Sequence, residues 1–494
     1  MRSINFITLI FAFGAIVLIA CSKKPAVTGQ QQTTTTTTTT TITPITPVKT
    51  DVAMWLTNPD QSSLFQKQNI ALNFSTAANS NANITVDTTQ TYQTIDGFGF
   101  CLTGGSATVI NSLNATQQDA LLKELFLTDT THIGISYLRI SIGASDMSAT
   151  DFTYDESATG PDVNLNNFSI DMEKTDLIPV LKKIIALNPN IKILACPWTA
   201  PTWMKINTTG NSGFSGGSLN TLYYDAYAAY FVKYIQAMKA QGITIDAVTP
   251  QNEPLNPSNN PAMVMQPAEE DNFVKNSLGP QFKAANIATK IIVYDHNTDR
   301  VDYPLTILAD AAASVFVDGS AFHLYSGNIS ALSQVRNTYP QKNIYFTEQY
   351  TSSAGSFSGD LNWHITNLIV GATRNWSRNV LEWNLATDAS YGPHTNGGCT
   401  VCQGALTISG QNVSRNVSYY IIAHAAKFVR PGAVRIASPD LANMPNVAFK
   451  NPDGSKVLIV LNSAGSTQTF NIQFNGKAVT STLNNSAVAT YVWN

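Results

Sequence analysis

The stretch "ITIDAVTPQNEPLNP", residues 243–257, runs as an apolar β-type segment through Ile243, Ile245, Ala247 and Val248. It then stops in Gln251-Asn252-Glu253-Pro254. An isolated Asn-Glu-Pro reads as readily as a solvated turn as it does as a site, so its meaning depends on what its neighbours carry. Seven further β-type runs accompany it: "TIDGFGFCLTG" (94–104), "ISYLRISIG" (135–143), "IKILACPW" (191–198), "KIIVYDHN" (290–297), "GSAFHLY" (319–325), "IYFTEQY" (344–350) and "VLEWNLA" (380–386). Helical patterns separate most of them. Leu177, Leu181, Ile184 and Ile185 form one apolar face, and Tyr227, Phe231, Tyr234 and Met238 form another that Gly242 stops. A last helical segment, Tyr419 to Phe428, ends at Pro431-Gly432. Strands alternating with helices imply an α/β fold with a parallel sheet, and eight such units between residues 94 and 430 imply a (β/α)8 TIM barrel.

Beyond Gly432 the pattern changes to short strands separated by Asp453-Gly454, Ala464-Gly465, Asn475-Gly476 and Asn484-Asn485, which is hairpin chemistry. Residues 431–494 are few for an independent sandwich. The strand-like stretch 51–93 is expected to complete it, giving a side β-sandwich domain built from both chain ends. The catalytic barrel is then 94–430.

At the N-terminus, Arg2 precedes an apolar run from Ile4 to Ala20, followed by Cys21. This fits a signal segment. The cysteine after a small residue resembles a bacterial lipobox, which would make 1–21 a lipoprotein signal peptide with Cys21 as the lipidated residue. Residues 22–50, with unbroken Thr33 to Thr41, read as a disordered Thr-rich tether. The expected location is therefore the cell envelope, with the membrane touched only through the lipid at Cys21.

Charged residues make up only 12% of the 494 and the formal net charge is -3, which excludes the electrostatic footprint of a nucleic-acid binder. Of the four remaining cysteines, Cys399-Thr400-Val401-Cys402 lies in a Gly-rich loop and either closes on itself or stays reduced. A zinc site would require a second such pair. No His spacing fits a metal site such as His-Glu-x-x-His, so no metal and no cofactor are expected.

In a TIM barrel the C-terminal strand ends carry the chemistry. Here those ends supply Arg139, Trp198, Asn252-Glu253, His323-Leu324-Tyr325, Glu348 and Trp383. Glu253 at the end of the fourth strand and Glu348 at the end of the seventh can face each other across the barrel mouth. Glycoside hydrolysis needs such a pair, one acid to protonate the leaving oxygen and one carboxylate to attack or to activate water. At close range the two cannot both ionise cheaply, so the acid is expected to have a raised pKa.

The motifs "GFGFCLTGGSA" (97–107), "YLRISIGASD" (137–146), "CPWTAPTWMK" (196–205), "TPQNEP" (249–254), "FHLY" (322–325), "FTEQY" (346–350) and "EWNLATD" (382–388) together resemble glycoside hydrolase family 30, the family of glucosylceramidases and endo-β-1,6-glucanases. The resemblance runs from about residue 55 to the C-terminus. It implies cleavage of β-glycosides with retention, with Glu253 as general acid/base and Glu348 as nucleophile. It further implies Asp146, Trp198 and Asn252 as sugar binders, Trp383 as a stacking platform, and Arg139, His323 and Tyr325 as groups that tune the carboxylates, with Tyr325 reaching the substrate. Phe100 departs from the glycine expected there and is expected to alter packing beneath the pocket.

The expected function is a retaining hydrolase of β-glucosidic bonds acting by double displacement, foremost an endo-β-1,6-glucanase acting as a monomer on β-glucan. The alternatives are a glucosylceramidase, an exo-β-glucosidase or a β-xylosidase. A non-catalytic surface glycan binder would need the aromatics but not the carboxylate pair.

Overall fold

A computed structural model describes residues 48–129, 131–209 and 213–494. The signal segment, Cys21 and the tether as far as residue 47 lie outside the described residues. The tether was expected to reach residue 50, but its last residues are already fastened. The Val48 N–H donates to Asn69 Oδ1 at 2.9 Å, and Thr50 Oγ1 donates to Leu72 O.

Eight parallel strands close into a barrel in chain order: β1 (Gly97–Cys101), β2 (Tyr137–Ser141), β3 (Lys192–Cys196), β4 (Ala247–Val248), β5 (Lys290–Asn297), β6 (Val317–His323), β7 (Asn343–Glu348) and β8 (Ser377–Asn384). These are the eight runs expected from sequence. Their inward side chains stack in layers because alternate residues of a strand share a face. Tyr137, Leu194, Ala247, Ile292, Ala321, Tyr345 and Leu381 form one dry layer. Gly99 of β1 contributes no side chain there, since a Cβ would lie 1.8 Å from Tyr137 O. Two residues further along, the same parity puts Cys101, Arg139, Cys196, His323, Thr347 and Trp383 at the mouth. The outward residues, Phe98, Phe100, Leu138 and Ile140 among them, pack under the helices. Phe100 therefore lies between barrel and helices, and Cys101 is the residue beneath the pocket. This corrects the expectation for Phe100.

The helix Tyr224–Ala240 buries Tyr227, Phe231, Tyr234 and Met238, as its spacing predicts, and the chain turns away at Gly242 with φ +83°. The helix Gly104–Asn111 is capped by Thr103, whose Oγ1 accepts from Ser106 N at 3.0 Å.

The sandwich draws on both chain ends. Its larger sheet has the order Gln66–Lys67, Ala53–Thr57, Val488–Trp493, Lys456–Leu461, Asn446–Lys450, Val434–Ala437, Asp87–Thr94. The smaller sheet places Ala82–Thr85 parallel to Gln468–Phe474, which pairs with Lys477–Leu483. Met54, Ile84, Leu458, Phe470 and Tyr491 fill the space between them. Among the described residues, no helix is long and apolar enough to cross a membrane.

Candidate active site

Above the dry layer, at the C-terminal mouth of the barrel, lies a cavity of about 540 Å³ lined by Asp146, Glu253, Asn256, His296, Tyr325, Glu348, Tyr350, Trp383 and the Cys399–Cys402 disulfide, among others. Another groove of about 550 Å³ opens at the opposite end of the barrel, around Lys192, Lys239 and Asp246. It contains neither glutamate of the pair.

Strand β4 is short. It ends at Val248, and Glu253 stands five residues beyond it rather than at its end. Backbone hydrogen bonds hold the extension against both neighbouring strands: Asn252 N donates to Pro197 O at 2.8 Å and Glu253 N to Asp295 O at 3.0 Å. Glu253 adopts φ +43°, a strained backbone of the kind that rigid surroundings impose at functional sites. Glu348 is the last residue of β7. One carboxylate oxygen from each glutamate and a ring nitrogen of His323 lie within 4.8 Å of one another. That places the carboxylates in the close range of a retaining pair, well short of the roughly 6.5–9.5 Å that an inverting pair needs to admit water.

Arg139 organises the floor. It donates to Glu348 Oε2 at 2.5 Å, to Asn252 Oδ1 at 2.6 Å and to Asp295 Oδ2 at 2.8 Å. Tyr325 donates its hydroxyl to Glu348 Oε1 at 2.9 Å, and Asn256 donates to Glu253 Oε2 at 2.8 Å. His323 has Nδ1 3.2 Å from Glu253 Oε1 and Nε2 3.1 Å from Asp295 Oδ1.

These contacts set the charges. Burial opposes a charge on His323, but Glu348, Asp295 and Glu253 around it raise its pKa to about 9. Burial would raise Glu253, yet the hydrogen bond and charge of His323 carry it down to about 2. Glu348 is raised, by burial first, with His323 and Arg139 opposing. Asp146 is pushed up to about 7 by burial and by the two glutamates. The expectation of a raised Glu253 is thus corrected: burial pushes it up, but the hydrogen bond and charge of His323, 3.2 Å away, outweigh burial. Glu253, His323 and Glu348 also form a group that could ligate a cation, but the Arg139 guanidinium and the charge on His323 oppose one there.

The structure brings together most of the residues singled out from sequence. Glu253, Glu348, Asp146, Tyr325 and Trp383 line the cavity, while Arg139 and His323 lie buried directly behind it. Two expected sugar binders are set deeper than the rest. Trp198 is 1% exposed, with the Arg139 guanidinium 4.8 Å from its ring and Trp383 tilted against it at 5.4 Å. It forms part of the floor and does not line the cavity. Asn252 is 4% exposed, with its side-chain oxygen committed to Arg139 and its amide nitrogen left outside that contact.

Asp295 was missed. Fully buried, it accepts from Arg139, Thr249 Oγ1 (2.8 Å), Thr347 Oγ1 (2.6 Å) and Cys196 Sγ (3.1 Å), and it meets His323 Nε2. The signal was the polar tip Asp295-His296-Asn297 of the fifth strand. The Cys399–Cys402 pair is joined as a disulfide.

The sequence matches the glycosyl hydrolase family 30 TIM-barrel domain over residues 95–429 and the beta sandwich domain of the same family over 432–491. It is 36% identical over 407 residues to the endo-1,6-beta-D-glucanase neg1 of Aspergillus fumigatus, covering 77% of this chain and 81% of that one. It is 28% identical to the lysosomal acid glucosylceramidase of Mus musculus, covering 77% of each. Among solved structures, the endo-beta1,6-glucanase BT3312 superposes with a TM-score of 0.84 at 37% identity, covering 90% of this chain and 99% of that one.

Proposed function

The chain belongs to glycoside hydrolase family 30 and is a retaining glycosidase, and from that premise we propose that it cleaves β-1,6-glucan internally, with Glu348 as nucleophile and Glu253 as general acid/base. The observation that carries the assignment of roles is the set of donors on Glu348. Glu348 takes hydrogen bonds from Arg139 and Tyr325, donors that orient a carboxylate for attack on the anomeric carbon. Glu253 has His323 Nδ1 at 3.2 Å and Asn256 Nδ2 at 2.8 Å, and as acid/base it must take up a proton when substrate fills the cavity, deliver it to the leaving oxygen and take one back from water. Because the two groups are 3.2 Å apart, Glu253 and His323 titrate as a unit. Trp383 and Tyr325 offer the sugar an apolar face and a hydroxyl.

The β-1,6 preference rests on the names of the relatives at 36% and 37% identity. Glucosylceramide cleavage is the second reading, favoured by the match to the lysosomal enzyme. Release of reducing sugar from pustulan, laminarin and cellulose, alongside glucosylceramide in detergent, separates them. Turnover of pustulan with little on the others supports the proposal, and turnover of glucosylceramide alone overturns it. NMR of the first product should show the β-anomer.

The chain is further proposed to be held on the cell envelope by a lipid at Cys21. Arg2, the apolar run to Ala20 and the Thr-rich stretch support this. Cys21→Ala should move the protein from the membrane fraction to the soluble one.

A further inference from the structure

The segment after β8 carries a feature that neither the carboxylate pair nor its supports explain. Cys399 and Cys402 form a disulfide, and both line the cavity beside Trp383. A ring closed over so few residues removes little entropy from an unfolded chain of this length compared with a long loop, so its main effect is local.

That local structure is tied to three other rim segments. First, residues 395–399 pack on the backbone of Asp146 beyond β2. Thr395 N donates to Asp146 O at 2.9 Å and Gly398 N closes back on Thr395 O at 3.0 Å, while the nearby Cys399 amide opposes the rise that burial gives the Asp146 pKa. The approach is so close that a Cβ on Gly398 would lie 2.2 Å from Asp146 O. Second, Thr395 Oγ1 donates to Asn260 O at 2.5 Å and Asn260 Nδ2 donates to Asn396 O at 2.9 Å, fixing the loop beyond β4. Third, Cys402 pairs with Ser352, and Ser353 N donates to Val401 O at 2.9 Å, just beyond Glu348. Asp146 itself is 6% exposed and reaches the cavity. The disulfide loop packs against its main chain through Thr395 and Gly398.

We propose that the Cys399–Cys402 loop is a sugar-positioning wall, which holds the Asp146 carboxyl in place for a sugar hydroxyl and presents the disulfide as an apolar side of the cavity. The inference rests on the glycosidase reading of this cavity. Opening the ring then weakens binding of the glycoside and leaves the Glu253–Glu348 pair and the fold in place. Chemically, a dithiol such as dithiothreitol supplies two electrons and two protons, the S–S bond becomes two thiols, and the reagent becomes a cyclic disulfide.

The test compares oxidised and dithiothreitol-treated enzyme, Cys399→Ser/Cys402→Ser, and Gly398→Ala, which disturbs the Asp146 contact without touching sulfur. Kinetics on an aryl β-glucoside, melting temperature and calorimetric binding of the iminosugar 1-deoxynojirimycin are the readouts. Reduction and both variants should raise KM by about tenfold, the scale of one displaced hydrogen bond to a charged group. The value of kcat should stay within about twofold, with a matching loss of iminosugar affinity. Reoxidation should restore the wild type, and the double Ser variant should be indifferent to reductant. Unchanged iminosugar affinity after reduction, or a KM that moves only together with a collapse in melting temperature, would overturn the inference. An oxidised enzyme that binds the iminosugar but turns over no β-glycoside would count against the functional reading instead.

Discussion

Raising the pH from 6.5 to 9 should destabilise the protein by about 3 kcal/mol through one side chain, His323. The imidazole is sealed from solvent between Glu253 and Asp295. Burial resists its charge, but Glu348, Asp295 and Glu253 lift its pKa from 6.5 to about 9. At about 1.4 kcal/mol per pH unit, that rise stabilises the folded chain by about 3 kcal/mol. A group whose folded value is raised contributes in full below its unfolded value and loses the contribution as pH climbs through the folded one. The window is therefore 6.5 to 9. The fall of Glu253 to about 2 is the other half of the same contact and is not added to it. Lys205, pushed down to about 7 by burial, tilts stability the opposite way over much of this interval, because its unfolded form binds more protons. Comparison with His323→Gln removes that background. In thermal unfolding at constant ionic strength, the wild type should melt about 3 °C above the variant near pH 6.5, and the gap should narrow toward pH 9. A gap that stays constant across the interval would refute the reasoning.

Glu348→Gln should abolish turnover of an aryl glucoside by several orders of magnitude with the melting temperature little changed, since the attacking oxygen is lost and the volume kept; near-wild-type kcat would remove it as nucleophile. Glu253→Ala should erase the alkaline limb of the pH–rate profile and slow poor leaving groups far more than activated aryl glycosides, which need no proton; equal losses on both would count against its role as the acid. Asp295→Asn should destabilise the fold by about 3 kcal/mol or more, because Arg139 keeps its buried charge and loses a partner; a melting temperature equal to the wild type's would show that Glu348 alone compensates Arg139. Removing residues 433–494 should leave insoluble protein, since Ala53–Thr57 and Asp87–Thr94 lose the strands they pair with; a soluble, active truncation would refute that dependence.

The barrel was legible because its signal is periodic and repeated. Every one of the eight runs became a strand, and the pleat carries Tyr137 to Arg139, Ala321 to His323 and Leu381 to Trp383 by parity alone. Asp295 was not legible for the same reason. Counting by twos from the buried Ile292 points Tyr294 inward, but the register with β6 shifts between Tyr294 and His296, and both Tyr294 (φ +81°) and Asp295 (φ +67°) take left-handed backbone. The bulge turns the carboxylate inward, and nothing in local propensity announces it. Trp198 shows a second limit. It follows the end of β3 as expected, but whether a ring faces the cavity or lies under Arg139 depends on contacts from β2 and β8. The charge on Glu253 was misjudged because a carboxylate pair suggests repulsion, and the cation between them is visible only once β6 is in place.

The sandwich also constrains the order in which this chain can assemble. Ala53–Thr57 has its long antiparallel neighbour in Val488–Trp493, and Ala82–Thr85 lies along Gln468–Phe474, so the first strands made must wait for the last. Wherever the chain folds, the barrel units can form from neighbouring segments, whereas the early strands remain bare edges until residues 468–493 are available. Such pairings across nearly the whole length are the slowest to close, and unpaired edges are the ones that aggregate. The sandwich therefore closes only once residues 488–493 are in place beside Ala53–Thr57, with the whole barrel lying between the two in sequence.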